Sequence, residues 1–278
     1  MGSLEWSSIL IPILIFAVLG LLAGLLLSIF SKIFAVKTDE RVDRVMAVLP
    51  GVNCGACGYS GCEDYAKHVV NEGAATNRCI PGGDKVSREI SDILGASFQD
   101  VAEQKAFVAC GGKVPNATSD SYIYRGEPTC AACNMFYDGK GVCNYGCIGY
   151  GDCQKQCAFD AISIIDEVAV INPHRCTGCT MCTKACPKHI IHMRDAAKPV
   201  FVTCSNCDTG RATVQVCQNG CIACKKCEKT CPHDAIHVTN NLASIDYDKC
   251  TACMECVKVC PRRCIVASNF AEEEAEGA

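Results

Sequence analysis

Two stretches near the C-terminus read Cys-x2-Cys-x2-Cys-x3-Cys-Pro. They comprise Cys221, Cys224, Cys227 and Cys231 before Pro232, then Cys250, Cys253, Cys256 and Cys260 before Pro261. Thiolates at this spacing suit [4Fe-4S] clusters, with the fourth cysteine of each run ligating the other cluster of the pair. Crossed in this way, Cys221, Cys224, Cys227 and Cys260 hold one cluster, and Cys250, Cys253, Cys256 and Cys231 the second. A helical turn starting at the third cysteine carries the fourth about 6 Å along its axis, and proline ends the turn. A four-cysteine zinc site would more often show two separated Cys-x2-Cys pairs.

The same run occurs upstream. Cys176, Cys179, Cys182 and Cys186 precede Pro187, whereas Cys143, Cys147, Cys153 and Cys157 are spaced x3, x5 and x3 and are followed by Ala158. Nineteen positions separate Cys157 from Cys176, as they do Cys231 from Cys250, so the chain carries an internal repeat. In each copy the intervening stretch, 161–171 or 235–245, alternates apolar residues about a turn and predicts a β-hairpin. The crossing rule then assigns Cys143, Cys147, Cys153 and Cys186 to one cluster, and Cys176, Cys179, Cys182 and Cys157 to another.

A different arrangement stands nearer the N-terminus, Cys54-x2-Cys57-x4-Cys62-x16-Cys79, with Gly55, Gly58 and Gly61 allowing a tight backbone. It suits a [4Fe-4S] loop of another type, flanked by helices at 63–72 and 85–94, the second ended by Gly95. Gln104 to Cys110 is read as a strand. Seven cysteines remain: Cys110, Cys130, Cys133, Cys204, Cys207, Cys217 and Cys264. Buried reduced thiols are the plain account of them. A sixth metal site is the sharper one, built from Cys110, Cys130, Cys204 and Cys217, or from the pairs 130/133 and 204/207.

The elements that must hold these ligands are slight. Cysteine makes up 27 of 278 residues, so clusters replace part of an ordinary core, and their ligation implies a reducing compartment. The formal charge is −4; five clusters at about −2 each bring it to roughly −14, a poor nucleic-acid binder. Trp6 to Ser31 carries no formal charge and is long enough for one transmembrane helix. Lys32, Lys37, Arg41 and Arg44 follow it, placing the rest of the chain on the cytoplasmic side of the cell membrane. Gly20 and Gly24 offer a small-residue face for a partner helix. The expected fold is α+β: an N-terminal transmembrane helix, a small mainly helical [4Fe-4S] domain and two bacterial 2[4Fe-4S] ferredoxin-like modules. Its divisions are a 1–31 anchor, 32–95 [4Fe-4S] domain, 96–142 connecting segment, 143–200 module 1, 201–220 linker, 221–265 module 2 and a 266–278 acidic tail with Glu272, Glu273, Glu274 and Glu276. There is no Gly-x-Gly-x-x-Gly fingerprint and no Walker loop, so NAD and flavin chemistry belong elsewhere. One apolar helix without buried ionisable residues offers no ion path.

An anchor followed by the Cys54-Gly-Ala-Cys-Gly-Tyr-Ser-Gly-Cys62 loop, Cys79 and ferredoxin runs resembles the B subunit of the Rnf complex. That family is a membrane ferredoxin:NAD+ oxidoreductase coupled to sodium or proton translocation, and two repeats match its longer form in anaerobes. The resemblance implies electron exchange with soluble ferredoxin, then transfer through the Cys54–Cys79 cluster toward partner membrane subunits. From Cys221 to Cys264 there are seven basic residues against five acidic ones, which would steer an acidic ferredoxin there. The competing classes are the iron-sulfur subunit of another anaerobic membrane reductase and a structural zinc-binding protein.

Overall fold

The charge-free run folds as one helix, α1 (Trp6–Ile33). Its 28 residues span roughly 42 Å, more than the ~30 Å hydrocarbon core. Large apolar side chains such as Phe16 and Leu21 point outward, and Gly20 and Gly24 face open space. In the computed structural model, which describes residues 6–33 and 39–267, the chain divides after Glu40 into two units. Lys37 and the acidic tail from residue 268 onward lie outside the described residues.

The second unit begins with three amphipathic helices, α2 (Glu40–Val48), α3 (Cys62–Glu72) and α4 (Gly83–Leu94), with a single 3-10 turn at Ile80–Gly82. Val45, Tyr65, Val69 and Ile90 from the three faces form a common core. Gly73 and Gly95 take left-handed conformations, φ 68° and 65°, and end α3 and α4.

Beyond them one layout occurs twice. The first copy runs β1 (Gln104–Val108), α5 (Cys130–Asn134), α6 (Asp152–Lys155), β2 (Ile162–Ile165), β3 (Val168–Ile171), α7 (Met181–Ala185) and β4 (Ile191–Asp195). The second runs β5 (Val200–Val202), α8 (Gly210–Val216), α9 (Lys226–Thr230), β6 (Ile236–Thr239), β7 (Leu242–Ile245), α10 (Glu255–Val259) and β8 (Ile265–Ala267). In each copy the first and last strands pair antiparallel, Val108 opposite Ile191 and Val202 opposite Ile265. The hairpins β2–β3 and β6–β7 turn on two consecutive left-handed residues, Asp166-Glu167 and Asn240-Asn241, as a two-residue type I′ loop requires.

The stretches 96–142 and 201–220 are therefore more than connections. The first supplies β1 and α5; the second supplies part of β5 and all of α8. Strands of three to five residues carry little local signal, and the partner that fixes them lies at the far end of the copy.

Candidate iron-sulfur sites

Four loops carry a shared backbone signature. Left-handed residues occur in pairs two apart: Gly149 and Gly151, Gly178 and Thr180, Ala223 and Lys225, Ala252 and Met254. A short helix starts immediately after each pair, at Asp152, Met181, Lys226 and Glu255. The pair wraps the chain about a small volume, and non-glycine residues persist in this conformation only where the surroundings impose it. Three positions after each fourth cysteine the chain again turns left-handed, at Asp160, His189, Asp234 and Arg263. The next amide can then reach back. Ala161 N donates to Cys157 Sγ at 3.3 Å, and Ala235 N to Cys231 Sγ at 3.3 Å.

The thiols gather in sets of four. Burial pushes Cys79 up to about 11, and the neighbouring Cys62, Cys54 and Cys57 act in the same direction. Burial likewise raises Cys182 to about 12, beside Cys176, Cys179 and Cys157, which with it line one cavity. Cys227 rises to about 11 through burial, next to Cys221, Cys224 and Cys260; Cys256 does the same next to Cys250, Cys253 and Cys231. Three of these sets contain the fourth cysteine of the opposite run, the arrangement that crossing demands.

The remaining run is different. Cys147 and Cys153 are neighbours of Cys130, Cys153 also of Cys186, and these four line a single cavity. Cys143, expected there, lies instead with Cys110, Cys204 and Cys217. Of the expected extra quartet, Cys130 is thus the member placed elsewhere, and it exchanges positions with Cys143. The reason is visible in register. Cys147 and Cys153 are six positions apart, like Cys176 and Cys182, Cys221 and Cys227, or Cys250 and Cys256. The middle position, a cysteine in the other three runs, is Tyr150. Helix α5 brings Cys130 to that gap: Thr129 caps it by accepting from Ala132 N, and Ala131 N donates to Asp152 Oδ2 at 3.0 Å. Burial raises the Cys130 thiol, and the nearby backbone amides of Asp152, Tyr150 and Gly151 oppose that rise. The rival pairs do not meet, since Cys133 is fully buried against Ile148 whereas Cys207 is exposed.

Among the described residues, no three Cys, His, Asp or Glu side chains converge closely enough for one metal ion. Sets this open fit a cubane, whose iron-sulfur core holds its thiolates apart, and amides directed at the sulfurs suit anionic ligands.

The N-terminal set is fastened to the first copy. Asn53 Oδ1 accepts from Cys62 N at 2.8 Å, closing the loop, and Lys184 Nζ from α7 donates to Cys54 O at 2.9 Å. Cys54 is an electrostatic neighbour of Cys179. At the other end of the unit, Cys264 is 2% exposed and lies 3.6 Å, sulfur to sulfur, from Cys260. Its hydrogen bonds lower Cys260 to about 5 and Cys221 to about 6, while Cys264 itself is raised and keeps its proton.

Three family models match the chain: "Putative Fe-S cluster" over residues 49–81, "4Fe-4S binding domain" over 168–191 and "4Fe-4S dicluster domain" over 220–264. The chain is 42% identical to the B subunit of the Na(+)-translocating ferredoxin:NAD(+) oxidoreductase complex of Acetobacterium woodii, over 87% of this chain and 73% of that protein. It is 41% identical to the B subunit of the ion-translocating oxidoreductase complex of Methanosarcina acetivorans, over 87% and 92%. It is 36% identical to the B subunit of the proton-translocating ferredoxin:NAD(+) oxidoreductase complex of Clostridium ljungdahlii, over 86% and 85%.

Proposed function

The chain belongs to the B subunits of ion-translocating ferredoxin:NAD+ oxidoreductases, iron-sulfur electron-transfer subunits, and on that premise we propose how its sites are divided and used. Each copy of the repeat is a 2[4Fe-4S] ferredoxin-like module. Five ligand sets follow: Cys54, Cys57, Cys62, Cys79; Cys157, Cys176, Cys179, Cys182; Cys130, Cys147, Cys153, Cys186; Cys221, Cys224, Cys227, Cys260; and Cys231, Cys250, Cys253, Cys256. A cluster bound at each supplies a reversible one-electron carrier. Helix α1 is a single membrane span, with the second unit on the cytoplasmic side.

The C-terminal module is the entry for soluble ferredoxin, and the Cys54–Cys79 set is the exit toward membrane partners. The observation that supports this direction is the fastening of the N-terminal loop to the first module through Lys184 and Cys54, with Cys179 as neighbour. Lys225, Lys249 and Lys258 pair locally with Glu228, Asp234 and Glu255, but exposed pairs of this kind are weak and leave the basic excess of the module in place.

In the assembled complex, Cys57→Ala should lower ferredoxin-dependent NAD+ reduction at least a hundredfold while ferredoxin still reduces the other sites of this chain. Undiminished NAD+ reduction would place the exit elsewhere. Reversing Lys225, Lys226 and Lys229 to Glu should slow reduction by ferredoxin and flatten its salt dependence; an unchanged rate would remove the docking assignment.

A further inference from the structure

We infer that Cys110, Cys143, Cys204 and Cys217 form a sixth [4Fe-4S] site, shared between the two repeats and bridging them. The inference rests on reading the other sets as cluster sites, and it concerns residues that none of the matched family segments contains.

Each repeat contributes two of the four thiols. Cys110 follows β1 by two residues and Cys204 follows β5 by two, so they are equivalent positions of the two copies. Cys143 comes from the loop before α6, and Cys217 caps the C-terminal end of α8. All four line one cavity together with Gly112, Gly146 and Gly220. A Cβ added at Gly112 would stand 3.6 Å from the sulfurs of both Cys110 and Cys217, so the backbone at this glycine runs beside both thiols.

The donors around this cavity are arranged for anionic sulfur. Cys147 N points at Cys110 Sγ at 3.4 Å, and Cys221 N at Cys204 Sγ at 3.3 Å. Asn206, 2% exposed, directs its backbone N–H at Cys204 Sγ, 3.4 Å, and its side-chain amide at Cys143 Sγ, 3.6 Å. Its own Oδ1 is held by Asp208 N at 2.7 Å, which fixes the amide's orientation. A neutral thiol is a weak acceptor, so four N–H groups aimed at three sulfurs have little purpose unless those sulfurs are thiolates. Cys133 shows the contrast: fully buried, it packs against Ile148 and belongs to no quartet. Zinc would need the four sulfurs drawn in around one ion, and no such convergence exists among the described residues.

Position gives the site its role. Cys147 and Cys221, whose amides reach its sulfurs, are ligands in the nearest sets of the first and second modules respectively. A cluster held here would exchange single electrons with neighbours on both sides, with no bond made or broken.

Native mass spectrometry of the full chain, purified anaerobically in detergent, counts clusters directly. Six per chain are expected, about 24 irons and 24 sulfides. Cys110→Ala, Cys143→Ala and the double variant should each carry five, because both residues serve the same cluster. A wild-type maximum of five, five clusters with one zinc, or a double variant that loses two clusters would each overturn the sixth site. The wild-type count decides the matter even if a variant fails to fold. A chain with no iron would overturn the electron-carrier reading itself, a distinct outcome.

Discussion

The second module carries both ferredoxin runs complete, their eight cysteines within residues 221–260, whereas the first has Tyr150 at the middle position of its first run and gathers Cys130 from outside the run. At Cys224 the second module places a thiol between two left-handed residues, Ala223 and Lys225; at the matching position the first has Tyr150 between Gly149 and Gly151. The lesson is that the loop conformation and the ligand are separable. The backbone of the first module still wraps the site, and α5 delivers Cys130 into the vacancy left by the missing side chain. Cys143, no longer needed by its own run, sits with the thiols between the modules.

The largest effect should come from undoing that substitution. Cys130→Ala should cost the first module one whole cluster, about four irons per chain. Adding Tyr150→Cys to Cys130→Ala restores Cys-x2-Cys-x2-Cys and should restore the four irons, while Cys143→Ala should leave the cluster of Cys147, Cys153 and Cys186 in place. Iron content with the EPR spectrum of the reduced chain separates these outcomes. Failure of Tyr150→Cys to rescue, with Cys143→Ala removing the module's own cluster, would return Cys143 to the run and erase the contrast.

Much of this was legible in the cysteines themselves. Ligand loops are local: two-residue gaps, a small or glycine residue before the second thiol, and a short helix leading to the fourth. The nineteen-residue spacing therefore exposed both hairpins. The register of the altered run was also legible, since Cys147 and Cys153 keep the six-position interval and Tyr150 falls where a cysteine belongs. Grouping by nearest spacing, which drew in Cys143, concealed it. Cys130 could not be assigned this way, because its place depends on the Thr129 cap and the Asp152 contact, which exist only once the chain has folded. The pairing of β1 with β4 was hidden for a similar reason: nothing in Gln104–Val108 selects Ile191–Asp195 as partner.

A moderate, pH-dependent difference between the modules should appear when the metal is absent. Burial raises Cys147 to about 11 and Cys153 and Cys182 to about 12 in the first module, and Cys227 and Cys256 to about 11 in the second. A thiol whose folded value lies above its ordinary value of 9.0 contributes stability that is complete below pH ~9 and lost as pH rises through the folded value. In the second module Cys221 and Cys260 are lowered to about 6 and 5; their contribution is present above pH ~9 and lost as pH falls through those values. Hydrogen exchange of the chelated, reduced chain, corrected for intrinsic rates, should show protection falling between pH 8 and 11 in both modules, and on the acid side in the second module alone. Protection of the Cys221 and Cys260 segments should fall between pH 8 and 5. The cluster-loaded chain should lack the alkaline loss, since its ligand sulfurs carry no proton to release; the same loss with clusters bound would contradict this account.

The finest distinction lies at Cys264. Four positions after the fourth cysteine of each run the chain presents Ala161, Ile190, Ala235 or Cys264, and only the last adds a thiol to the amide that faces the ligand. With its sulfur 3.6 Å from Cys260, and Cys221 a second hydrogen-bond partner, Cys264 shares its proton with two sulfurs of one set. Hydrogen bonds to ligand sulfur favour the reduced, more negative cluster and raise its potential. Cys264→Ala, which gives this position the residue found at 161 and 235, should therefore lower the potential of the Cys221 set without changing the iron count. Cys264→Ser keeps a donor and should fall between alanine and wild type. An EPR-monitored redox titration reads the shift, and the Cys54–Cys79 set, which lies in a separate core from Cys264, serves as an internal control. Equal potentials in all three proteins would make Cys264 a packing residue, equivalent to Ala161 and Ala235, and leave the ligand exchange at Tyr150 as the principal difference between the modules.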